Sequence, residues 1–166
     1  MKKGGRATPH GMKALDPSEG EALWAAGSLM VVKATSEDTH GGFTLIEQEC
    51  PPGLDSPEHM HETEDQCFYI LAGSMDVSCG DSGRSLTEGC FAVLPRGVPH
   101  SFTVGPEGVR FLSLTTPGGF ENFAREIGSP AMELTTPPNP AANLRDAGKQ
   151  VVEAPTAHSD VRPATQ

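Results

Sequence analysis

Two glycine-bounded blocks of the chain carry three histidines and one glutamine at fixed spacings. The first block reads Gly53-x5-His59-x-His61-x4-Gln66-x6-Gly73, and the second reads Gly89-x5-Pro95-x-Gly97-x2-His100. Side chains alternate between the two faces of an extended segment, so His59 and His61 point to the same face of one strand. Imidazole is the commonest protein ligand for first-row transition metals. The spacing therefore predicts one metal ion held between short strands, with Gln66 and His100 arriving from other strands.

Glycine and proline interrupt the chain at short intervals, with 19 glycines and 15 prolines among 166 residues. This pattern favours many short strands joined by turns, as in a β-sandwich or β-barrel. The length allows one domain with a real core, plus tails. The strands that we predict are Leu29–Thr35, Phe43–Cys50, His59–His61, Gln66–Leu71, Ser74–Cys79, Arg84–Leu86, Cys90–Leu94, His100–Val104 and Val109–Thr115.

The two blocks resemble the paired signature motifs of the cupin superfamily, and the resemblance extends from about Trp24 to Gly128. It implies an all-β fold, a single-domain cupin jelly-roll β-barrel with a short C-terminal helix. The sequence departs from the family at Gln66, where cupins usually carry glutamate, and at Val104, where the second motif often ends in asparagine. The metal ligands that the resemblance implies are His59, His61, Gln66 and His100.

The segments outside the motifs divide the chain into four regions. Residues 1–20 lack periodicity and predict a flexible N-terminal arm, and residues 21–116 form the expected barrel. Phe120, Phe123, Ala124 and Ile127 recur at helical spacing. We therefore expect residues 117–136 to hold a helix that packs on the outside of the barrel or on a partner subunit, and core packing is the favoured role of its aromatic side chains. Residues 137–166 are rich in proline and predict an irregular tail, in which residues 141–152 could add one helix.

The formal net charge of −10 at pH 7 argues against nucleic acid and anionic membranes as partners, because such a surface repels phosphate groups. No apolar segment follows the basic start of the chain, and no stretch has the length of a transmembrane helix. We therefore expect a cytoplasmic protein. The four cysteines lack metal-knuckle spacing and are expected to be free thiols.

Apolar side chains are expected to line a cavity around the metal. Such a cavity favours an aromatic or enolic small molecule as substrate, although the same residues would also suit an ordinary barrel core. The residues that share a face with Gln66 or His100 are Phe68, Ile70, Phe102 and Val104. The candidates on neighbouring strands, whose parity is open, are Phe43, Leu45, Phe91, Val93 and Phe111.

Gln66 changes the chemistry that the resemblance implies. An amide is neutral and not basic, so a metal held by three imidazoles and this amide keeps its full charge and acidifies a bound ligand more strongly. In flavonol-cleaving cupins the ligand glutamate is usually assigned as the base, and Gln66 cannot take that part. If the reaction needs a base, the candidates are Glu64, Asp65, an inward-facing Glu47 or a metal-bound hydroxide. Asp65 could also reach the metal itself.

Three functions remain open from the sequence. Likeness of the segments Gly41–Phe43 and Thr116–Glu121 to small cupins related to quercetin 2,3-dioxygenase favours a dioxygenase-like oxidoreductase. The neutral glutamine also suits a Lewis-acid cyclase, isomerase or lyase, and the third alternative is a cupin that binds a small molecule without catalysis. The divalent metal would be iron, nickel, manganese, copper, cobalt or zinc. A homodimer through the first strand or the Phe120 helix is a further expectation.

Overall fold

The computed structural model describes residues 11–145 and the backbone of residues 161–163. Those residues form short antiparallel strands and a helix, α1, at Phe120–Ile127, and residues 140–145 are helical again. Within this part of the chain, no helix has both the length and the apolar character that a membrane crossing requires. The strands are β1 Glu21–Ala25, β2 Ser28–Ala34, β3 Thr44–Cys50, β4 His59–His61, β5 Asp65–Cys79, β6 Ser82–Thr87, β7 Phe91–Leu94, β8 His100–Thr116, β9 Ser129–Pro130 and β10 Val161–Pro163.

The two longest strands, β5 and β8, pair along most of their length and belong to two sheets at once. Residues 65–72 and 109–116 lie in a wide sheet with the order β9-β1-β2-β3-β8-β5-β7. The other halves of β5 and β8 lie in a narrow sheet with the order β10-β4-β8-β5-β6. Two antiparallel sheets that share strands in this way form a jelly roll, which confirms the predicted fold class. Among the described residues the strands do not close into a complete ring.

A glycine allows β5 to pass from one sheet to the other. The register with β8 shifts between Ile70 and Ala72 and again between Gly73 and Met75. Gly73 has a φ of 75°, and a Cβ added there would lie 2.0 Å from the Gly108 carbonyl oxygen. Glycine alone fits this close approach of two backbones. The sequence predicted two strands on either side of Gly73, and the structure joins them because the ladder continues through the bend.

The barrel interior is packed around three phenylalanines. The rings of Phe68, Phe102 and Phe111 contact one another edge to face, with centroids 4.9 to 6.1 Å apart. They lie in a continuous cluster of buried apolar side chains that the inner faces of both sheets contribute. Edge-to-face contacts of this kind stabilise a core beyond the burial of area alone.

Helix α1 covers the inner face of the wide sheet at its β1–β3 end. Phe120, Phe123 and Ile127 are buried there in one cluster with Leu23 and Ile46. Ile46 faces the same side as the barrel interior, because its partner across β8 is in turn the partner of Phe68. The helix therefore fills the space that the narrow sheet leaves open. The core packing that the helical spacing favours for these aromatic side chains is thus what the structure shows, against the inner face of the chain's own wide sheet.

The terminal regions are partly tied to the barrel. Residues 1–10, 146–160 and 164–166 of the predicted arm and tail lie outside the described residues. Lys33 Nζ donates to the carbonyls of Pro17 and Glu19, which fastens the end of the arm to β2. The tail that we expected to be irregular is helical at residues 140–145. These residues overlap the start of the stretch 141–152, where one helix was expected. Its strand β10 pairs with β4.

The cysteines are free thiols, as expected from the sequence. Burial raises the pKa of the Cys50 thiol to about 12, so it stays protonated and acts as a small packed side chain. Nothing in this arrangement gives Cys50 the thiolate character of a nucleophile.

Candidate metal centre

Three imidazole rings meet at one end of the barrel. His59 and His61 come from β4, and His100 begins β8, where it is the antiparallel partner of His59. Their ligand nitrogens all lie within 4.8 Å of one another, and the ring centroids of His59 and His100 are 4.5 Å apart. Transition metals bind imidazole nitrogen at about 2.0–2.1 Å, so one ion fits this cluster after small side-chain adjustments.

Hydrogen bonds at Nδ1 fix the tautomer of each ring. His59 and His100 each donate through Nδ1 to the backbone carbonyl two residues earlier, at 2.8 Å and 3.1 Å. His61 donates through Nδ1 to Glu64 Oε2 at 3.0 Å. Each Nε2 therefore keeps a free lone pair, and those of His61 and His100 are buried without a hydrogen-bond partner. Metal-ligating histidines adopt this arrangement.

Burial also keeps two of these rings neutral. Desolvation lowers the pKa of His59 to about 4, and desolvation together with the neighbouring His59 and His61 rings lowers that of His100 to about 3. Both lone pairs are therefore available at neutral pH without release of a proton. His61 and His100 are only 1% and 2% exposed, whereas His59 is partly buried, so solvent reaches the cluster from the His59 side.

The second glycine-bounded block holds the first one in place. Gly97 has a φ of 72°, and its backbone N–H donates to the carbonyl of His61 at 2.7 Å. Three residues later the chain enters β8 with His100. A left-handed backbone conformation at Gly97 thus ties β4 to the loop that delivers the third histidine. The two sequence motifs are coupled by a hydrogen bond as well as by the shared cluster.

Gln66 enters the barrel from β5, two residues after the glutamate that contacts His61. Its Nε2 donates to Ser113 Oγ at 2.9 Å, and its Oε1 is buried without a partner. The hydroxyl of Thr115, the cross-strand neighbour of Gln66 on β8, is also buried without a partner. A buried polar atom without a partner costs free energy, so a ligand that bonds to either oxygen would recover that cost. Oxygen donors of this type suit divalent cations.

Glu64 is the one candidate base that the structure brings to the histidine cluster. Its side chain is buried, and one carboxylate oxygen accepts the hydrogen bond from His61 Nδ1. A carboxylate in this position orients the imidazole and raises the basicity of its other nitrogen. Helix α1 lies on the same side, since the rings of Phe120 and His61 have centroids 5.5 Å apart.

Asp65 and Glu47, the other two predicted bases, point away from the cluster. Asp65 forms a bidentate ion pair with Arg96, with its shortest contact at 2.8 Å, and this pair lowers the pKa of Asp65 to about 2. Glu47 lies on the outer face of β3, where it contacts Arg110 at 3.1 Å and Lys33 at 3.6 Å. The expectation that Glu47 faces inward was wrong because the buried positions of β3 are 44, 46, 48 and 50.

The predicted pocket residues separate into two groups. Five of them are buried inside the barrel, namely Phe68, Ile70, Phe102, Val104 and Phe111. They belong to the buried apolar core, which is the role that the alternative interpretation gives them. The other four lie elsewhere: Phe91 and Val93 are exposed on the outer face, Leu45 is half-buried on that face, and Phe43 is partly exposed at the start of β3. The register decides the parity of β7, which the sequence left open: Leu94 and Ala92 pair with Gln66 and Phe68, so Phe91 and Val93 face outward.

A groove of about 500 Å³ lies away from the histidines, between the N-terminal segment and the outer face of β2 and β3. Its charged lining residues are Lys13, Asp16, Lys33, Asp38 and Glu47. Lys13 pairs with Asp38, and Lys33 with Glu47. Four of the five charges are thus paired within the chain, and among the described residues the candidate metal site is the histidine cluster.

Comparison with known proteins supports this placement. Residues 46–115, which contain every residue of the histidine cluster, match the family model of the cupin domain. This segment is a cupin domain. Quercetin 2,3-dioxygenase of Bacillus subtilis (strain 168) is 29% identical over 140 residues, which are 84% of this chain and 42% of that protein. Quercetin 2,3-dioxygenase of Aspergillus japonicus is 27% identical over 103 residues, which are 58% of this chain and 29% of that protein. The chain thus spans less than half the length of either curated relative.

Solved structures agree on the cupin fold. An RmlC-like cupin from Shewanella frigidimarina superposes with a TM-score of 0.59 and 16% identity, over 69% of this chain and 99% of that one. At this identity the likeness concerns the fold alone. It supports the jelly-roll topology that positions the three histidines.

Sequence reasoning missed Ser113, Thr115 and the contribution of Phe120 to this site. Ser113 and Thr115 lie on the same inward face of β8 as Phe111, at two-residue spacing, and both are buried. Polar residues at the inward-facing positions of an otherwise apolar strand are a usable signal, because buried hydroxyls need partners. Phe120 gave no comparable signal, since its place beside His61 depends on how α1 folds back over the sheet.

Proposed function

We propose that this cupin domain is a mononuclear metal enzyme that acts on a small aromatic or enolic molecule, with dioxygenase chemistry as its first candidate activity. The observation that carries the proposal is the convergence of three Nε2 lone pairs whose Nδ1 atoms are already hydrogen-bonded. The similarity to two quercetin 2,3-dioxygenases supports the choice of reaction.

The residues that would hold the metal are His59, His61, His100 and, through its amide oxygen, Gln66. The unpartnered Oε1 of Gln66 fits a cation, and Ser113 orients the amide by accepting from its NH₂ group. A bound divalent metal would supply Lewis acidity and, if redox-active, a route for electrons between an enolic substrate and dioxygen. Every ligand in this set is neutral, so the protein itself offsets none of the ionic charge.

The protein residues divide the remaining tasks. Glu64 orients His61 and is the carboxylate we assign as the candidate proton acceptor, because Asp65 and Glu47 are committed to ion pairs on the outer surface. Substrate is expected to approach from the side of His59, the most exposed of the three rings. The hydroxyl of Thr115, which is buried without a partner, is available to hold a polar group of the substrate or a water molecule.

The test combines metal content with oxygen consumption. The purified protein is stripped with a chelator, reloaded separately with iron, nickel, manganese, copper, cobalt or zinc, and assayed for oxygen uptake with a flavonol. We expect one ion per chain and uptake with at least one redox-active metal. Phe91→Ala, an exposed position on the outer face, is the matched control and should behave as wild type, whereas His100→Ala should lose metal and uptake together. Stoichiometric metal without uptake on flavonols or related enols would exclude dioxygenase activity on that class.

A Lewis-acid reaction is the second candidate, and the neutral Gln66 favours it. A cyclase, isomerase or lyase needs a strongly polarising ion but no change of oxidation state, and an uncharged ligand set preserves that polarising power. Turnover under nitrogen with zinc would assign the protein to this class. Strict dependence on dioxygen would exclude it.

A further inference from the structure

A buried glutamate that no step of the proposed reaction uses lies in the first turn of helix α1. Glu121 is only 2% exposed. Ser36 donates to its Oε1 through the backbone N–H at 2.8 Å and through the hydroxyl at 2.5 Å. The hydroxyl of Thr44 donates to its Oε2. Burial of a carboxylate is costly unless donors surround it, so these hydrogen bonds are what allows a glutamate at this position.

The carboxylate of Glu121 is held in its charged form. Burial alone would raise its pKa, but hydrogen bonds from Ser36 and Thr44 and from the backbone outweigh the burial, so the pKa of Glu121 lies below its ordinary value. The first N–H groups of a helix also favour a negative charge in the first turn. Hydrogen bonds to a charged acceptor are shorter and stronger than those between neutral groups. Glu121 therefore forms a firm attachment at neutral pH.

This carboxylate attaches the helix to two other parts of the chain. Ser36 belongs to the loop between β2 and β3, and Thr44 is the first residue of β3. The hydroxyl of Thr44 also accepts a hydrogen bond from the backbone N–H of Gly119 at 2.9 Å. The carboxylate and this hydroxyl together fix both the first turn of α1 and the residue that precedes it.

Two glycines let the segment before α1 approach its neighbours closely. A Cβ added at Gly118 would lie 2.8 Å from Ser36 Cβ and 2.9 Å from the carbonyl carbon of Phe43. Gly119 has a φ of 146°, and a Cβ added there would lie 3.5 Å from Glu64 Oε1. A side chain would clash at the first position and strain the backbone at the second. The start of α1 is therefore packed between the β2–β3 loop and Glu64.

The start of α1 lies against both members of the pair that orients His61. Gly119 is next to Oε1 of Glu64, and the other oxygen of that carboxylate accepts from His61 Nδ1 at 3.0 Å. The following residue, Phe120, has its ring centroid 5.5 Å from that of His61. A displacement of this turn would disturb the carboxylate and the imidazole together. The orientation of the ring matters, because the Nε2 lone pair must point at the metal ion.

We propose that Glu121 is a positioning residue of the metal centre, which holds the start of helix α1 against Glu64 and His61 and thereby fixes the direction of the His61 Nε2 lone pair. This role rests on the proposed metal-binding function of the histidine cluster. Glu121 acts through Gly119 and Phe120. Loss of its carboxylate would leave three donors without their acceptor and would loosen the first turn.

Zinc affinity of the full chain tests this role. Glu121→Leu should weaken zinc binding about tenfold, which is typical of changes to groups that support a metal ligand. Glu121→Gln keeps an oxygen for Ser36 and should recover part of this loss. Ser36→Ala removes two of the partners' contacts to a lesser extent than Glu121→Leu, since its backbone N–H remains, and should weaken zinc binding by a smaller factor. Competition with a chromophoric chelator measures all three.

Ile127→Ala is the matched control for general destabilisation. Ile127 lies in the same helix and the same buried cluster, about 9 Å further along the helix axis than Glu121. Its substitution should lower the urea midpoint of the apoprotein and leave zinc affinity unchanged. The proposal is overturned by wild-type zinc affinity in Glu121→Leu, or by an equal loss of affinity in Ile127→Ala. If Glu121→Leu does not fold, wild-type affinity in both Glu121→Gln and Ser36→Ala overturns it.

Solvent exchange of the His61 Nδ1 proton gives a second readout, in the apoprotein. Nuclear magnetic resonance of the isotope-labelled protein follows this proton, which is identified by its loss in His61→Gln. It is buried and bonded to Glu64, so it should exchange slowly in wild type and in Ile127→Ala, and faster in Glu121→Leu. A wild-type rate no slower than that of Glu121→Leu overturns the proposal. Because this measurement uses neither metal nor dioxygen, failure of the dioxygenase assignment would leave its result unaffected.

Discussion

Two neighbouring layers of the barrel interior behave in opposite ways. One layer holds the histidine cluster with Gln66, Ser113 and Thr115, and it contains every buried side-chain polar atom that lacks a partner among the described residues. The next layer, two residues further along the same strands, is closed by Phe68, Phe102 and Phe111 in mutual contact. Strands β5 and β8 supply residues to both.

The difference shows that site and core are separated by only two residues along the inner face of the same strand. From Gln66 to Phe68, and from His100 to Phe102, the inner face changes from unsatisfied donors and acceptors to tight apolar packing. The polar layer carries a free-energy cost unless a ligand satisfies it, whereas the aromatic layer contributes the stability that offsets that cost. Substitutions in the two layers should therefore separate metal binding from folding.

The largest expected effect is loss of the metal from the polar layer. His100→Ala should reduce metal affinity by more than the roughly 10–100-fold that changes around a metal ligand typically cause, because it removes a ligand itself. Competition with a chromophoric chelator measures this directly. Phe111→Leu, in the apolar layer, is the control and should retain one ion per chain. Unchanged affinity in His100→Ala would mean that the ion binds elsewhere.

The aromatic layer should show the reverse behaviour. Phe111→Ala should lower the free energy of unfolding by about 3–5 kcal/mol, through lost burial and the cavity left behind, as measured by urea denaturation of the apoprotein. Metal stoichiometry of the folded fraction should remain that of wild type. Met132→Ala, at an exposed position, should change the free energy of unfolding by less than about 0.5 kcal/mol. Loss of metal from folded Phe111→Ala would show that the layers are not independent.

Low pH should destabilise the apoprotein, because two histidines of the polar layer resist protonation in the folded state. The pKa values of His59 and His100 are lowered from 6.5 to about 4 and about 3, so below pH 6.5 the unfolded chain binds protons that the folded chain does not. Stability should fall as the pH drops from 6.5 towards 4, by at most about 1.4 kcal/mol per pH unit for each histidine. Urea midpoints measured at several pH values test this. A His59→Gln, His100→Gln double variant should flatten the slope, and an equally steep slope there would assign the effect to other groups.

Gln66→Glu should strengthen metal binding. The substitution restores an anionic ligand at the same position, and we expect an increase in affinity on the order of tenfold, or about 1.4 kcal/mol. The same chelator competition measures it, with Gln66→Leu as a control that should bind more weakly than wild type. A fall to undetectable metal in Gln66→Glu would show that this side chain does not face the ion.

The smallest effect concerns the hydroxyl of Thr115. Thr115→Val removes a buried oxygen without a partner and keeps the shape, so the free energy of unfolding of the apoprotein should rise by about 1 kcal/mol. Thr115→Ser, which keeps the hydroxyl, should not show this gain. Destabilisation by Thr115→Val would indicate that the hydroxyl already has a partner, such as a water molecule, in the apoprotein.

The fold class and most strands could be predicted from the sequence because the glycine spacing and apolar runs are local signals. The predicted strands from residue 29 to residue 115 correspond to β2 through β8. Strand β1 was missed because Glu21–Ala25 contains no β-branched residue, and it forms by pairing with β2 through a tight turn at Ala26 and Gly27. Strands β9 and β10 are too short to leave a pattern, and partner strands define them.

Side-chain direction was the point at which local reasoning failed. Glu47 was expected to face inward, and the sequence left the parity of Leu45, Phe91 and Val93 open. The register places all four on the outer face. A run that is apolar at both parities does not reveal which parity faces inward. No local signal indicated the direction of the Glu47 side chain, because its ion-pair partners, Lys33 and Arg110, come from β2 and β8.

The sequence by itself determined the residue types of the metal centre and their assignment to two glycine-bounded blocks, because ligand chemistry and i, i+2 spacing are properties of short segments. Tertiary structure alone decided which carboxylate contacts the histidines, which hydroxyls lie beside Gln66, and where helix α1 closes the sheet. It also decided that Phe91 and Val93 lie on the outer surface. These features depend on the register between strands that are distant in the chain, and a one-residue change of register exchanges the two faces of a strand.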